Sequence, residues 1–143
     1  MDGQRTTNFS EDYLMGFSEN ILKLKTLIVE DNVFFRETLK EKLQALFPSM
    51  VIDEAAEGSE ALQKVDALRP ELIFMDIRLP GENGIQLTEK IKAKYPNTKI
   101  VFLTSYDSME YRGAAIRAGG YCYIPKESLD HVKIENLLKA LID

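Results

Sequence analysis

Three acidic side chains, a hydroxyl and a lysine stand at the ends of short apolar runs in this sequence. The pair Glu30–Asp31 follows TLIV, Asp76 follows LIFM, Thr104 closes KIVFLT, and Lys126 lies just beyond YCYI. If these runs are neighbouring parallel strands, their carboxyl ends share one edge of a sheet, where open α/β sheets bind their ligands. The five side chains would then lie close together.

Such a group of side chains suits phosphoryl transfer. Crowded carboxylates repel one another and raise each other's pKa, which a hard divalent cation relieves; oxygen ligands with room for water describe a Mg²⁺ site. Lys126 adds a fixed positive charge. Catalysis of phosphoryl transfer is mostly positioning and charge neutralisation. Asp76 is the best candidate nucleophile, because Asp is known to form aspartyl phosphates, and Thr104 could donate a hydrogen bond to a phosphoryl oxygen.

Each of these residues, taken singly, also has a purely structural interpretation. An acidic pair after a strand often caps the next helix, an Asp at a strand end is usually a turn residue, and a loop lysine is usually solvated. Their joint occurrence at successive strand ends favours a chemical role. Acids end the first and third strands, a hydroxyl ends the fourth and a lysine follows the fifth.

The hydrophobic pattern predicts five β-α units that would position these side chains. Strands are predicted at 26–29, 50–55, 72–75, 99–104 and 121–124, and helices at 33–47, from Gly58 to Arg69, around Leu87 and Ile91 up to Tyr95, at 108–118 and at 129–142. Strands one, three and four are apolar throughout, as expected when helices cover both faces. The alternation predicts a doubly wound parallel sheet with right-handed crossovers, in which the order 2-1-3-4-5 unites the strand ends.

Composition narrows the class of protein further. The 143 residues are 45% hydrophobic and 29% charged, which is typical of a globular domain, and the net charge of -5 argues against tight, non-specific nucleic-acid binding. The single cysteine excludes an intrachain disulfide and favours the cytoplasm. We see no secretion leader and no apolar stretch of about 20 residues that would span a membrane.

Residues 1–24 differ from the rest and are predicted to be an extension in front of one domain at 25–143. Tyr13, Phe17, Ile21 and Leu24 have helical spacing, with Ser10 as a candidate N-cap. Two interpretations stay open: a disordered tail, or a short helix that docks on the domain or on a partner.

Four motifs in order resemble the receiver domain of bacterial two-component response regulators, over about residues 25–142. They are VEDN after strand one, MDIRLPGENG after strand three, LTS after strand four and IPK after strand five. The resemblance implies a CheY-like, flavodoxin-like three-layer α/β/α sandwich. It also implies that this chain acts in a phosphorelay as a regulatory phosphoacceptor and not as an enzyme.

The resemblance assigns roles to the residues at the strand ends. Asp76 would accept a phosphoryl group from a phosphohistidine on a sensor histidine kinase or phosphotransfer protein. Asp31, Asp76 and the backbone carbonyl of Arg78 would bind Mg²⁺ directly, with Glu30 acting mainly through a water. Lys126 would pair with the phosphorylated Asp76.

The resemblance also implies a switch. The hydroxyl of Thr104 would move toward the phosphoryl group and the ring of Tyr123 would turn inward behind it, which changes the face formed by helix four, strand five and helix five. That face is a candidate homodimer surface and would include Tyr111, Arg112, Arg117, His131 and Lys133.

The sequence is also similar, in more detail, to receivers that precede a helix-turn-helix DNA-binding output domain. This similarity lies in the segments FFRETL, DEAAEGSEAL and AGGYCYIPKESL. Because the sequence stops at Asp143, a stand-alone receiver and a receiver without its output domain are both consistent with it. Regulation of transcription is the expected role in the second case.

Several positions depart from the commonest family pattern. Glu30 replaces a more frequent Asp, Ser105 a usual Ala, and Glu127 a usual Pro, while Pro125 precedes the lysine. Arg78 and Tyr106 each follow a key residue by two positions, and we expect them to flank the opening of the site. Two interpretations stay open: both side chains are simply solvated, or they restrict attack by water and tune the lifetime of the phosphoryl group.

Rival functions fit the residues less well. A Mg²⁺-dependent phosphohydrolase with an Asp nucleophile needs a second acid two residues later, where Arg78 stands. A flavin carrier needs a phosphate cradle after strand one, where Glu30–Asp31 would repel the phosphate. A receiver-like interaction module that is never phosphorylated stays an alternative.

Overall fold

Five parallel strands in the order β2-β1-β3-β4-β5 form the central sheet of this computed structural model, which describes residues 23–105 and 109–142. The strands are β1 Lys25–Val29, β2 Val51–Ala55, β3 Leu72–Asp76, β4 Lys99–Thr104 and β5 Cys122–Pro125. The helices are α1 Val33–Leu46, α2 Gly58–Leu68, α3 Gly84–Lys94, α4 Met109–Arg117 and α5 His131–Ile142. The predicted fold class and strand order are confirmed.

Two apolar cores lie on opposite faces of the sheet and make it the middle of three layers. One core joins alternate strand residues to α1 and α5: Ile28, Phe74, Val101 and Leu103 with Leu39, Leu43, Ile134 and Leu138. The other joins the intervening strand residues to α2, α3 and α4: Leu27, Ile73, Ile100 and Phe102 with Ala61, Val65, Leu87, Ile91 and Ala115. Every residue of β3 is buried, because β3 lies between β1 and β4 with helices on both faces. That burial fixes the strand that carries Asp76.

Side-chain caps begin two of the helices close to the predicted site. Asn32 caps α1 by accepting a hydrogen bond from the Phe35 amide at 2.9 Å, and Asn83 caps α3 by accepting one from the Gln86 amide at 2.8 Å. Since Asn32 is the cap of α1, capping does not explain the acidic pair that precedes it.

Gly84 is required by the close approach of α3 to the end of β3. A Cβ atom at this position would lie 2.1 Å from the backbone oxygen of Asp76 and 2.9 Å from Met75 Cγ. The Gly84 amide also donates to the carbonyl of Ile77 at 2.7 Å. The loop after Asp76 is therefore held tightly against the strand end.

The observed boundaries differ from the predicted ones by one or two residues at most ends. The predicted start of the last helix at residue 129 was wrong, because residues Lys126–Ser128 form a 3₁₀ turn and Leu129 is extended, so α5 begins at His131. Leu24 is buried directly in front of β1 and is not helical. The predictions for Ser10, Tyr13, Phe17 and Ile21 fall outside the described residues.

Among residues 23–105 and 109–142, no helix combines the length and the apolar character that crossing a membrane requires.

Candidate functional site

Glu30, Asp31 and Asp76 converge at the carboxyl edge of the sheet. The register pairs Val29 of β1 with Met75 of β3, so Glu30 and Asp76 are the next residues on adjacent strands. One carboxylate oxygen from each of the three acids lies within 4.8 Å of the others. Glu30 and Asp76 are 1% and 5% exposed, whereas Asp31 is open to solvent. The group is thus buried on one side and accessible on the other.

Lys126, which directly follows β5, supplies a positive charge to the site. Its Nζ lies 2.5 Å from Glu30 Oε1 and 3.5 Å from Asp76 Oδ2. The ring of Phe35 in α1 covers the ammonium, with its centroid 4.8 Å from Nζ. Although Glu30 Oε1 pairs with this ammonium, it accepts no well-aligned hydrogen bond among the described residues. In this state the lysine is held mainly by Glu30.

Burial and the neighbouring acid together disfavour ionisation of Asp76. Loss of hydration, followed by the charge of Glu30, raises the pKa of Asp76 to about 7, while Lys126 and the amide of Arg78 oppose that shift. One ammonium therefore does not balance the two buried carboxylates. A divalent cation placed among them would remove the imbalance.

The donor set fits Mg²⁺ in its chemistry. All three side-chain donors are carboxylate oxygens, which Mg²⁺ prefers, and the exposed side at Asp31 leaves room for the waters that this ion usually retains. Glu30 Oε2 already accepts a hydrogen bond from the Asn32 amide at 2.9 Å. Glu30 therefore has two partners of its own, and Asp76 also has two, the Arg78 amide and the Lys126 ammonium.

Thr104 and Tyr123 lie on β4 and β5, the two strands that follow β3 in the sheet. The sheet register pairs Phe102 with Tyr123 and Thr104 with Pro125, so by strand alternation the side chains of Thr104 and Tyr123 share the face covered by α2, α3 and α4. Thr104 is 1% exposed and Tyr123 is 7% exposed. The guanidinium carbon of Arg112 in α4 lies 4.8 Å from the centroid of the Tyr123 ring.

Of the two predicted flanking residues, only Arg78 falls within the described chain. Its side chain is exposed, and its amide donates to Asp76 Oδ1 at 3.3 Å. Tyr106 lies outside the described residues. A role for Arg78 at the opening of the site is thus compatible with its position.

Arg36 contributes to the site and was missed by sequence reasoning. From α1 its Nη1 donates to the backbone oxygen of Glu30 at 2.6 Å, and its Nε pairs with Glu54 of β2 at 2.9 Å. The contact is to a backbone atom, which no side-chain motif reveals. The available signal was the basic pair Arg36 and Lys40, spaced one helical turn apart and facing the acidic residue of an edge strand.

The comparisons with known proteins agree with this geometry. The family model for the response regulator receiver domain matches residues 26–141. The oxygen regulatory protein NreC of Staphylococcus carnosus is 37% identical over 82% of this chain and 53% of its own length. The uncharacterized transcriptional regulatory protein YxjL of Bacillus subtilis is 31% identical over 82% of this chain and 54% of its own length. The chain therefore spans about half the length of the curated relatives it matches.

A solved structure supports the fold independently. The CheX-CheY-BeF3-Mg+2 complex from Borrelia burgdorferi superposes with a TM-score of 0.76 at 23% identity, covering 84% of this chain and 90% of the other. At that identity the likeness shows the shared fold alone. Because the family model matches nearly all of the described chain, this protein belongs to the response regulator receiver domains, the phosphoacceptor signalling domains of two-component systems.

Proposed function

We propose that Asp76 is the phosphoacceptor of this receiver domain. The supporting observation is a buried carboxylate at the end of the central strand that lies beside two further acids and 3.5 Å from a lysine ammonium. An Asp76 oxygen attacks the phosphorus of a phosphohistidine, the P–N bond breaks, and the imidazole leaves with its electron pair and takes up a proton. The partner that supplies the phosphohistidine is a sensor histidine kinase or a phosphotransfer protein.

Mg²⁺ is the proposed cofactor of this transfer. Asp31, Asp76 and the backbone carbonyl of Arg78 would hold it directly, and Glu30 would act through a water. When bound, the ion would neutralise charge on the phosphoryl oxygens. The chain itself orients Asp76 through the Arg78 amide and excludes water from its buried side.

The lysine adds the second neutralising charge. Lys126 Nζ already lies between Glu30 and Asp76, so a small rotation of its side chain would let it pair with a phosphoryl oxygen on Asp76. Thr104 would donate its hydroxyl to another phosphoryl oxygen. Arg78 and Tyr106 would restrict the approach of water and set the lifetime of the phosphoryl group.

The output of the proposed switch is the face formed by α4, β5 and α5. Movement of Thr104 toward the phosphoryl group would let the ring of Tyr123 follow and change its contact with Arg112. A homodimer through this face would use Tyr111, Arg112, Arg117, His131 and Lys133. All but Tyr111 are exposed, which suits a reversible contact.

The biological role proposed for the whole protein is regulation of transcription from the cytoplasm. The regulation of transcription rests on the name of YxjL, a transcriptional regulatory protein, and the cytoplasmic location rests on the single cysteine. NreC and YxjL are about twice as long as the matched region. On this proposal residues 25–143 are the receiver, residues 1–24 are an extension, and a DNA-binding output domain would belong to the remainder of a longer protein. The receiver itself would not contact DNA.

Two alternative functions, a phosphohydrolase and an interaction module that is not phosphorylated, can be distinguished from this proposal. A phosphohydrolase needs a general acid or base two residues after Asp76, and the exposed guanidinium of Arg78 is always charged and cannot serve. We therefore propose self-phosphorylation and self-dephosphorylation at most, and no turnover of other substrates. An interaction module without phosphorylation would keep the fold but not respond to a phosphodonor.

Binding of beryllofluoride in the presence of Mg²⁺ tests the phosphoacceptor. We expect one complex per chain by ¹⁹F NMR for the wild type and none for Asp76→Asn, because the fluoride adduct requires a carboxylate oxygen. The matched control is Asp66→Asn, which alters an exposed carboxylate of α2 that pairs with Lys94 and Tyr95 and lies away from the site. A complex in Asp76→Asn, or none in the wild type, would contradict the proposal.

A further inference from the structure

Arg36 ties the edge strand of the sheet to the turn that carries the acidic pair. Its side chain is 15% exposed, its Nε lies 2.9 Å from Glu54 Oε1, and its Nη1 donates to the backbone oxygen of Glu30 at 2.6 Å. A planar guanidinium with several fixed donors can make both contacts at once, which a lysine ammonium cannot do with the same geometry.

The main chain at Glu30 is thereby held from both sides. The Glu30 amide donates to the carbonyl of Ala55 in β2 at 2.9 Å, and its carbonyl receives the hydrogen bond from Arg36. The same carbonyl begins the peptide unit that leads to Asp31. Fixing that peptide plane restricts the direction in which the exposed Asp31 carboxylate can point. Asp31 has no burial of its own to orient it.

Glu54 offsets the positive charge of Arg36, which would otherwise repel a cation at the acidic cluster. Lys40 and Arg36 pair with its two carboxylate oxygens at 2.8 and 2.9 Å and hold the pKa of Glu54 below its usual value. Because Glu54 balances the guanidinium, the positive charge of Arg36 repels a nearby cation only weakly. The orienting effect of Arg36 can then exceed its electrostatic cost to metal binding.

We propose that Arg36 is a positioning residue of the metal site, which orients Glu30 and Asp31 for Mg²⁺ through the Glu30 carbonyl. This inference rests on the proposed role of Glu30, Asp31 and Asp76 in holding the ion. Residues that orient metal ligands from outside the first coordination shell typically affect metal affinity by about 10- to 100-fold. Two other roles for Arg36 predict different results.

If Arg36 acts only through its charge, its removal strengthens Mg²⁺ binding, because one cation near the site is lost. If it only fastens α1 to β2, its removal lowers stability and leaves Mg²⁺ affinity unchanged. If it positions the ligands, its removal weakens Mg²⁺ binding. The sign of the change in affinity therefore distinguishes the three roles.

The chain offers a matched control in Lys40, which pairs with the same carboxylate from the next turn of α1. We expect the Mg²⁺ dissociation constant of Arg36→Met, measured by isothermal titration calorimetry and by the NMR shift of the Asp31 amide, to rise about tenfold. Lys40→Met should stay within about twofold of the wild type, because it loses a Glu54 pair without touching Glu30. Urea unfolding in EDTA should show that both variants are folded.

Arg36→Lys keeps the charge and is the second variant if Arg36→Met does not fold. It should also weaken Mg²⁺ binding, since one ammonium does not reproduce both contacts. Unchanged or tighter binding in the folded Arg36 variants would overturn the inference while leaving the proposed metal site intact. A wild-type protein that binds no Mg²⁺ would overturn the proposed metal site and this inference together.

Discussion

At the scale of single residues, the site contains more buried negative charge than positive charge. Two buried carboxylates, Glu30 and Asp76, share the ammonium of Lys126, which lies closer to Glu30 than to Asp76. The Glu30 side chain is one methylene longer than that of Asp76, and its Oε1 lies 2.5 Å from the lysine nitrogen. The lysine ammonium therefore lies nearer to Glu30 than to Asp76, the proposed phosphoacceptor.

This excess of negative charge predicts that Asp76 lowers stability at high pH when Mg²⁺ is absent. Its pKa of about 7 in the folded chain exceeds the ordinary Asp value of 3.8, so the protonated form favours folding, and this contribution is lost as the pH rises toward 7. Asp76→Asn carries no charge at any pH. The stability gained by this substitution should grow by on the order of 2 kcal/mol between about pH 5.5 and about pH 8.5.

Urea unfolding of both proteins in EDTA at the two pH values measures this effect. Asp66→Asn serves as a control that should not depend on pH, because Tyr95 and Lys94 lower the pKa of Asp66 and its carboxylate is therefore ionised at both pH values. A gain from Asp76→Asn that is the same at both pH values, or that shrinks as the pH rises, would contradict the buried-charge account of the site.

At the scale of elements, α4 is the helix with the least support from the core. Only Ala115 is buried within it, whereas Met109 and Ile116 are 88% and 49% exposed. Gly113 lies in its interior, where glycine costs about 1 kcal/mol relative to alanine. By contrast, α3 buries Leu87, Thr88 and Ile91. A weakly packed helix that carries Arg112 over the Tyr123 ring is suited to move when that ring moves.

We therefore expect backbone amides of α4 to exchange with deuterium faster than those of α3. Addition of beryllofluoride and Mg²⁺ should change exchange in α4 and leave the buried turn of α3 nearly unchanged, because the proposed switch acts through Thr104 and Tyr123. Hydrogen exchange followed by mass spectrometry measures both helices in one sample. Equal protection of α4 and α3 in both states would rule out a mobile α4 as the output element.

At the scale of the whole molecule, the sequence predicted the strands and the residues at their ends, but not the side-chain contacts between those residues. The strands β1, β3 and β4 were recognisable because helices cover both faces and leave continuous apolar runs. The ends of those runs identified Glu30, Asp31, Asp76 and Thr104. Their convergence required only the strand order, which the structure confirms.

Contacts that depend on side-chain reach were not predictable in the same way. The preference of Lys126 for Glu30, the ring of Phe35 over that ammonium and the bond from Arg36 to the Glu30 carbonyl all depend on how α1 and the 3₁₀ turn pack against the sheet. The turn itself went unrecognised because three residues carry too little pattern. Periodicity thus locates the strand ends, while tertiary packing decides which neighbours share each charge.

Covalent phosphorylation is the most direct test of Asp76 as the phosphoacceptor. The protein is incubated with acetyl phosphate and Mg²⁺, and the products are analysed by intact mass and by peptide mapping after reductive trapping of the acyl phosphate. We expect one added phosphoryl group per chain, located at Asp76, lost without Mg²⁺ and absent from Asp76→Asn. A phosphoryl group on another residue, or full modification of Asp76→Asn, would contradict that role of Asp76.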